Sequence, residues 1–599
     1  MTGVTHRPRP YSYSRLPTAW VDFKTGRGVL DNGAALIART SGRRKYPTLG
    51  DVLDSVSAGL GTAVPKIKIM FTGKVPPTEP GHRHWLLEAK TPGWETPPGR
   101  GHWLGTPPTG RFVNELTDQY VEIHLASEWF GNTDLSPAEA RDAWMLLDAM
   151  LTDAFQPALS GNDRSVMMHT PGSTGTNLWA ASLPAGMEPF PVDDDIAEEI
   201  HATSGQHHLE HLVAGPSMVT HEDVIPMMDP RGQSQIDSFA YVDGRFMYAA
   251  QCRELGTGPG RRLTKFETYE LLDTNPYARA RICLRFTVPE NWDRIGIFGV
   301  QHPNPNDGWY YPNRPGATGV TWADASEVFV AKQYGWKIEP LESVVFNEKA
   351  QAARKRFEPG SGHASRKTVK ARPLDLWSQK LMMTREFITD DPRTSDKLRQ
   401  AVGGALRAIL IQSIGSFASR GRGSTGVTND PRNLPPEYAA SVVRYGDTYT
   451  YKIPQKFNNR QRDFYHPEYA AQVWGRARAR VLHARVNGQA TGALTIPGEH
   501  IIGIHGDAIY TSQLPTWALP TVDGGADDGK AGRLRLQGYL PGPHPVPVSR
   551  ADRDGLRDKA LTHATATPDQ IVDQAAFIFE WDAPKDTPTS YQAQDGDQQ

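Results

Sequence analysis

Asp243 closes the apolar run Phe239-Ala240-Tyr241-Val242, and Asp507 follows His505-Gly506 between the runs Ile501-Ile502-Gly503-Ile504 and Ala508-Ile509-Tyr510-Thr511. Short apolar runs bounded by glycine and turn residues read as strands, the second pair as a hairpin, so each carboxylate falls at a strand end or a hairpin tip. Hard carboxylate oxygens in such places suit divalent cations. Phosphoryl and nucleotidyl transfer uses two Mg²⁺ ions about 3.5–4 Å apart, bridged by such a pair, to activate a hydroxyl and to neutralise a leaving pyrophosphate. By spacing alone, the plainer reading is that each aspartate is a strand-end turn residue.

Positioning groups so far apart in sequence takes a large chain, and 599 residues correspond to about three to five domains. Hydrophobic residues make up 38%, and no apolar run approaches the ~18 residues of a membrane span. Arg7, Arg9 and Arg15 precede no apolar segment of the kind a secretory signal carries, so the expected location is cytoplasmic, with no membrane partner. Cys252 and Cys283 are the only cysteines, which excludes a disulfide framework, a cysteine-rich zinc site and an iron–sulfur cluster. The net charge of −2 excludes a uniformly basic nucleic-acid binder. Charge is uneven, however: Arg354, Lys355, Arg356, Arg366, Lys367, Lys370 and Arg372 cluster, and the tail after Trp581 is acidic and polar.

The elements follow from pattern. Residues 20–120 read as short strands, including 118–124, interrupted by a Pro/Gly-rich loop over 75–110. Ser136-Pro137-Ala138-Glu139 has capping-box spacing, and Trp144, Leu147, Leu151 and Phe155 continue it at helical period. Leu398, Val402, Leu406, Ile409, Leu410 and Ile414 make residues 395–417 an amphipathic helix, in which Gly403-Gly404 permits close packing or a bend. The helix runs into Arg420-Gly421-Arg422-Gly423-Ser424, whose guanidinium groups and amides suit a phosphate chain. A second basic helix starts at Pro467, and the tail from about Pro584 lacks apolar runs.

The segment Asp243-Gly244-Arg245-Phe246-Met247-Tyr248-Ala249-Ala250 resembles motif A of family B DNA polymerases, an Asp followed five positions later by Tyr. Arg407 to Gly415 is similar to motif B, and Gly506-Asp507-Ala508-Ile509-Tyr510 looks like the second half of motif C. Gly319-Val320-Thr321-Trp322 with Glu327, Ala331 and Gly335-Trp336, and Pro467-Glu468 with Trp474 to Arg478, resemble palm segments of the protein-primed branch. Gly532-Arg533-Leu534-Arg535 sits where the family has a basic segment beyond the hairpin. The resemblance runs in family order from about residue 205 to 540. It implies an α+β, right-hand polymerase: an exonuclease-like domain over 1–200, a palm with a basic insertion over 201–375, fingers over 376–430, palm again over 431–540, a small thumb over 541–583 and a disordered tail over 584–599.

The implied activity is template-directed addition of deoxynucleotides from deoxynucleoside triphosphates to the 3′-hydroxyl of a DNA primer, or to the hydroxyl of a terminal protein if the likeness extends to priming. A phage or plasmid is the implied home. Asp243 and Asp507 would hold two Mg²⁺ or Mn²⁺ ions, and Arg407 would contact the incoming triphosphate. Tyr248 would lie under the deoxyribose, Gln412, Ser413 and Gly415 near the nascent base pair, and the amides of Gly244, Arg245 and Phe246 against phosphate oxygens. DNA contacts are expected from Arg420, Arg422, Arg476, Arg478, Arg533 and Arg535, with Arg480 and Arg485 in the same basic series. The chain departs from the pattern at His505, which stands where motif C has its first acid, at Arg407, where the family has Lys, and at Ile411, Ile414 and Ala249-Ala250. Asp22-Phe23-Lys24 replaces the Asp-x-Glu of the exonuclease site, so no proofreading is expected there. The rival reading is a non-catalytic nucleic-acid-binding replication or genome-end factor on the same palm.

Other groups invite plainer readings. His207, Glu210 and His211 have i,i+4 spacing for zinc on a helix, but an exposed polar helix face accounts for them. Gly256-Thr257-Gly258-Pro259-Gly260-Arg261-Arg262 lacks the Gly-Lys-Ser/Thr ending of a phosphate loop and reads as a flexible connection. The 354–372 cluster reads as a mobile insertion that clamps a strand, and Trp309-Tyr310-Tyr311 as loop packing.

Overall fold

A computed structural model of the protein describes residues 7–562 apart from 41–46, 74–90, 98–109, 132–133, 184–186, 206–209, 213–220, 229–231, 254, 276–277, 305–306, 347–349, 358–363, 372, 421–423, 429, 446–447 and 455–461. Most of the 75–110 loop, His207, Arg422 and the 584–599 tail lie outside the described residues. The chain divides into two units. One, the amino-terminal unit, comprises Pro8–Ser182 and Lys380–Tyr465; the other, the carboxylate unit, comprises Met1–Arg7, Leu183–Gln379 and His466–Gln599. Residues 431–465, expected with the palm, therefore cluster with the amino-terminal residues.

The amino-terminal unit is built on a mixed seven-stranded sheet whose strands Thr18–Asp22, Lys66–Thr72 and Tyr120–Leu125 run parallel at its centre. Central strands of a parallel sheet are buried, and here one face of each is apolar. Ile67, Ile69, Phe71, Val121 and Ile123 are buried with Leu49, Val52, Leu53 and Val56 of the Leu49–Leu60 helix. Trp144 of the Pro137–Phe155 helix meets Trp20 and Trp129. That helix begins with the expected capping box: Ser136 accepts from the Glu139 amide, and the Glu139 carboxylate accepts from the Ser136 amide at 2.8 Å. Asp22 spends its carboxylate on its own turn, accepting from the amides of Lys24 and Thr25 at 3.1 and 2.8 Å.

The helix Asp396–Phe417 starts at Ser395, whose hydroxyl accepts from the Leu398 amide at 3.4 Å. Its close packing comes from a place the sequence did not announce. Gly172 and Gly175 on the Pro171–Ser182 helix press against Gln412, Ser413 and Ser416, where an added methyl would overlap Ser413 and Ser416. A methyl on Gly404, by contrast, would meet nothing within 4 Å.

In the carboxylate unit an antiparallel sheet of five strands runs in the order Glu210–Leu212, Ile501–His505, Ala508–Thr511, Gln235–Gly244, Leu534–Pro545. Glu210 and His211 thus lie on a strand, which corrects the expectation of a helix and removes the i,i+4 geometry a zinc pair there needs. A four-stranded antiparallel sheet, Arg261–Leu263, Lys337–Val345, Ala280–Thr287 and Thr318–Asp324, shares one apolar core with the first. The described part of the 354–372 cluster falls on an antiparallel ribbon, Ala350–Phe357 against Ala364–Ala371. Beyond residue 540, the start of the expected thumb, the Leu534–Pro545 strand continues and the Arg550–Thr562 helix packs on that strand and on Gln235–Gly244.

Candidate active site

The register of the five-stranded sheet brings the two aspartates to one end. Ala240 pairs with Thr511, Tyr241 with Tyr510 and Val242 with Ile509. Two further steps along the same antiparallel ladder set Gly244 against Asp507. The approach is close: a Cβ built on Gly244 would lie 2.8 Å from Oδ2 and 3.2 Å from Cβ of Asp507. Asp243, one residue before Gly244, and Asp507 therefore come to the same end of adjoining strands. The hairpin places Asp507 by a two-residue turn between His505 and Ala508, with Gly506 at φ +60° in its first position, as a type II′ turn requires.

Two phenols report the field of this carboxylate pair. Tyr248, on the Met247–Gln251 helix, has its hydroxyl 3.1 Å from the position a Gly506 Cβ would take. Burial pushes its ionisation far up, and Asp507 and Asp243 push it further. Tyr241 is raised in the same way by burial, Asp243, Tyr510 and Asp507. It stacks on Tyr510, whose hydroxyl is pushed up to about 12 by burial against the pull of Arg557. Both phenols beside the carboxylates stay protonated and act only as O–H donors or neutral acceptors at neutral pH.

The turn joining Asp243 to that helix is held by a shell that sequence reasoning missed. Phe246 adopts a left-handed backbone, φ 47° and ψ 40°, which for a side chain with a Cβ costs about 1–2 kcal/mol. Asp527 opposes that cost by anchoring Arg245 through a buried ion pair of 2.8 Å. The Arg245 amide donates to the Arg533 carbonyl at 2.7 Å, and the Gly532 amide donates to the Arg245 carbonyl at 2.6 Å. Arg245, expected to offer its amide to phosphate, thus uses amide, carbonyl and guanidinium inside the protein. The available signal was the pair Asp527-Asp528 before Lys530 and Arg533, an acidic and basic alternation in a loop.

Several arginines expected on DNA are instead internal. The Pro467–Leu482 helix is buried nearly all round, so its basic residues face protein. Arg476 donates to the Arg253 carbonyl at 2.7 Å, and Arg480 to that of Gly532 at 3.1 Å. Arg478 donates to the Ile297 carbonyl at 3.1 Å, pairs with Glu327 at 3.6 Å and lies 4.4 Å from the Tyr311 ring centre. Arg533 is buried on Asp528 at 2.9 Å. Arg535 is fully buried and sits directly across from Asp243 in the strand register, on the same face. Burying a guanidinium demands internal acceptors, and carbonyls and carboxylates supply them here. Arg485, beyond the helix, is exposed.

The loop from Gly256 is packed as well, correcting the flexible connection expected: Gln472 accepts from the Gly256 amide at 2.8 Å, and Thr257 meets the Tyr469 hydroxyl at 3.0 Å. Tyr310 and Tyr311 are buried, Tyr310 stacked on His221.

The remaining expected residues belong to the amino-terminal unit. Arg407, Ile411 and Gly415 recur every four residues along one face of the Asp396–Phe417 helix, with Gln412 exposed beside them. Ser413 is fully buried on the opposite side, so it cannot face a nucleotide. Arg420 donates to the Tyr465 hydroxyl at 3.1 Å. His505 is exposed at the hairpin rim; desolvation lowers its pKa, Arg550 and Arg557 push the same way, and Asp554 opposes them.

No protein-family model matches the chain, and no curated protein matches it. Among solved structures it is similar to one described as "Phi29 DNA Polymerase, orthorhombic crystal form", with 11% identity and a TM-score of 0.45 over 89% of this chain and 85% of that one. It is also similar to "Phi29 DNA polymerase complexed with primer-template DNA (post-translocation binary complex)", at the same identity and TM-score over 88% and 84%. At that distance the likeness assigns neither a family nor a function. The chain is a mixed α+β protein of two units, and no described helix is long and apolar enough to cross a membrane.

Proposed function

We propose that the protein is a DNA-directed DNA polymerase that adds deoxynucleotides to a primer 3′-hydroxyl, or to the hydroxyl of a protein primer. The observation that carries this reading is the register that brings Asp243 and Asp507 to the same end of an antiparallel sheet, although they are far apart in sequence. Two hard carboxylates beside buried neutral phenols fit Mg²⁺ or Mn²⁺, and Asp243 and Asp507 are the residues that would hold it. The bound ions would activate the hydroxyl and neutralise the leaving pyrophosphate. In the transfer, the hydroxyl oxygen bonds to the α-phosphorus, its proton passes to solvent, and pyrophosphate leaves. The protein's own part is positioning. Gly244 gives Asp507 room, the Gly506 turn fixes its direction, and Tyr248 presents a neutral hydroxyl beside it, where a sugar would rest. Arg407, Gln412 and Gly415 are proposed for the triphosphate and base pair, and Arg420 and Arg422 for the DNA backbone.

A second reading, a non-catalytic nucleic-acid-binding palm, is favoured by two observations. His505 stands where the resemblance expects an acid, and Arg535 occupies the cross-strand position opposite Asp243. Primer extension on a short primed template with all four deoxynucleotides and Mg²⁺ or Mn²⁺ separates the two. Extension by the native protein, reduced at least 10³-fold in both Asp243→Ala and Asp507→Ala, is the expected result. No extension by the native protein, with DNA binding unchanged in both variants, refutes the polymerase reading in favour of the second.

A further inference from the structure

Glu122 and His124 lie two residues apart on the Tyr120–Leu125 strand, so both project from one face of the sheet. His169 comes to the same place from the segment that leads into the Pro171–Ser182 helix. The Glu122 Oε2 atom is 3.7 Å from His124 Nε2 and 3.4 Å from His169 Nδ1. All three ligand atoms lie within 4.8 Å of one another. Four donors around a zinc ion at bond lengths of about 2.1 Å stand about 3.4 Å apart, close to the two carboxylate–imidazole distances here.

The carboxylate is divided between two tasks. Oε1 takes the Lys66 ammonium at 3.0 Å, which fixes the orientation of the group. Oε2 is buried and makes no well-formed hydrogen bond, but both imidazoles draw on it at long range, 3.7 and 3.4 Å away. Such long contacts satisfy a buried carboxylate oxygen only in part, and a cation between it and the two rings would take the place that short hydrogen bonds leave open. His169, 42% exposed, gives an ion a path from solvent.

Lys66 and Lys68 oppose a cation here. Lys68, however, is half-buried and turned onto the Trp144 ring, 4.6 Å from its centre. Lys66 meets Oε1, the oxygen the cation does not use.

We propose that Glu122 Oε2, His124 Nε2 and His169 Nδ1 form a binding site for one divalent transition-metal cation of the zinc class, with solvent completing its coordination. Two imidazoles and one carboxylate select such a cation over Mg²⁺, which prefers oxygen donors. The ion ties the Tyr120–Leu125 strand to the chain entering the Pro171–Ser182 helix. This inference does not depend on the polymerase reading.

The full-length protein, freed of metal by chelation, is titrated with Zn²⁺ and separately with Co²⁺ in excess Mg²⁺. Bound metal is counted after gel filtration, cobalt ligation is read from visible absorption, and thermal unfolding is followed with and without Zn²⁺. Native protein is expected to retain one equivalent more than His169→Ala and Glu122→Gln, to show nitrogen-ligated cobalt bands that both variants lack, and to melt higher with Zn²⁺ where they do not. Asp243→Asn/Asp507→Asn should behave as native, which separates this site from the other carboxylates. His169 is partly exposed, so its alanine variant remains informative should Glu122→Gln fail to fold. Equal metal content in native protein and His169→Ala, or loss of the equivalent in Asp243→Asn/Asp507→Asn alone, overturns the proposal.

Discussion

Replacing Gly244 by alanine puts one methyl where Asp507 now packs. That carbon would stand 2.8 Å from Asp507 Oδ2 and 2.7 Å from the Cβ of Met247. Ordinary contact begins near 3.4 Å, so the neighbours must yield by about 0.6 Å. Met247 is fixed by the helix it opens, and the shift falls on the Asp507 hairpin tip. Overpacking of this kind costs about 1–3 kcal/mol. Since a 1 Å misplacement of a catalytic group costs about 10²-fold, the proposed extension rate should drop about tenfold or more. Single-turnover primer extension and thermal unfolding of Gly244→Ala measure both effects. Gly404→Ala is the control: its methyl meets nothing within 4 Å, so on a helix it should be neutral or stabilise by up to ~1 kcal/mol. A Gly244→Ala variant that unfolds and extends as the native protein does would show that Asp507 does not depend on this contact, and would remove the positional argument.

The Arg245–Asp527 pair, 6% and 3% exposed, should cost about 3–5 kcal/mol when either side is removed, because the survivor is a buried uncompensated charge. Arg245→Met and Asp527→Asn together should therefore be less destabilised than the sum of the two, read as hydrogen exchange of the Gln235–Gly244 amides; strict additivity refutes the pair. Burial raises Asp324, the N-cap of the Ala325–Gln333 helix, to about 6. Its folded form then holds a proton that the unfolded chain has released, so its favourable contribution is present below about pH 4 and lost as pH rises through about 6. Asp324→Asn keeps the cap without the charge. Its melting temperature relative to native should climb between those pH values and be flat outside them; a constant difference refutes the assignment.

Local signals carried far in this chain. The Ser136 capping box, the helix after Ser395, the helix at Pro467 and the hairpin around Gly506 were all legible, because each is decided by neighbours a few residues apart. The strand-end aspartates were legible for the same reason. Surface or core was not. Arg476, Arg478 and Arg480 read as a basic stripe for DNA, and the fold buries them because Arg253, Ile297 and Gly532 bring carbonyls to them from distant segments. Glu122 and His124 showed only strand alternation, since no spacing announces His169.

What the sequence by itself determined was which residues could lie at strand ends, helix starts and turns, and which side chains held chemistry. Only the tertiary structure decided that Gly244 faces Asp507, that Arg535 lies across from Asp243, that Asp527 holds the turn after it, and that His169 meets Glu122. These are contacts across sheets and between distant segments. They depend on register and packing summed over the whole fold, in which a one-residue strand slip would turn Asp243, Arg535 or Glu122 to the other face.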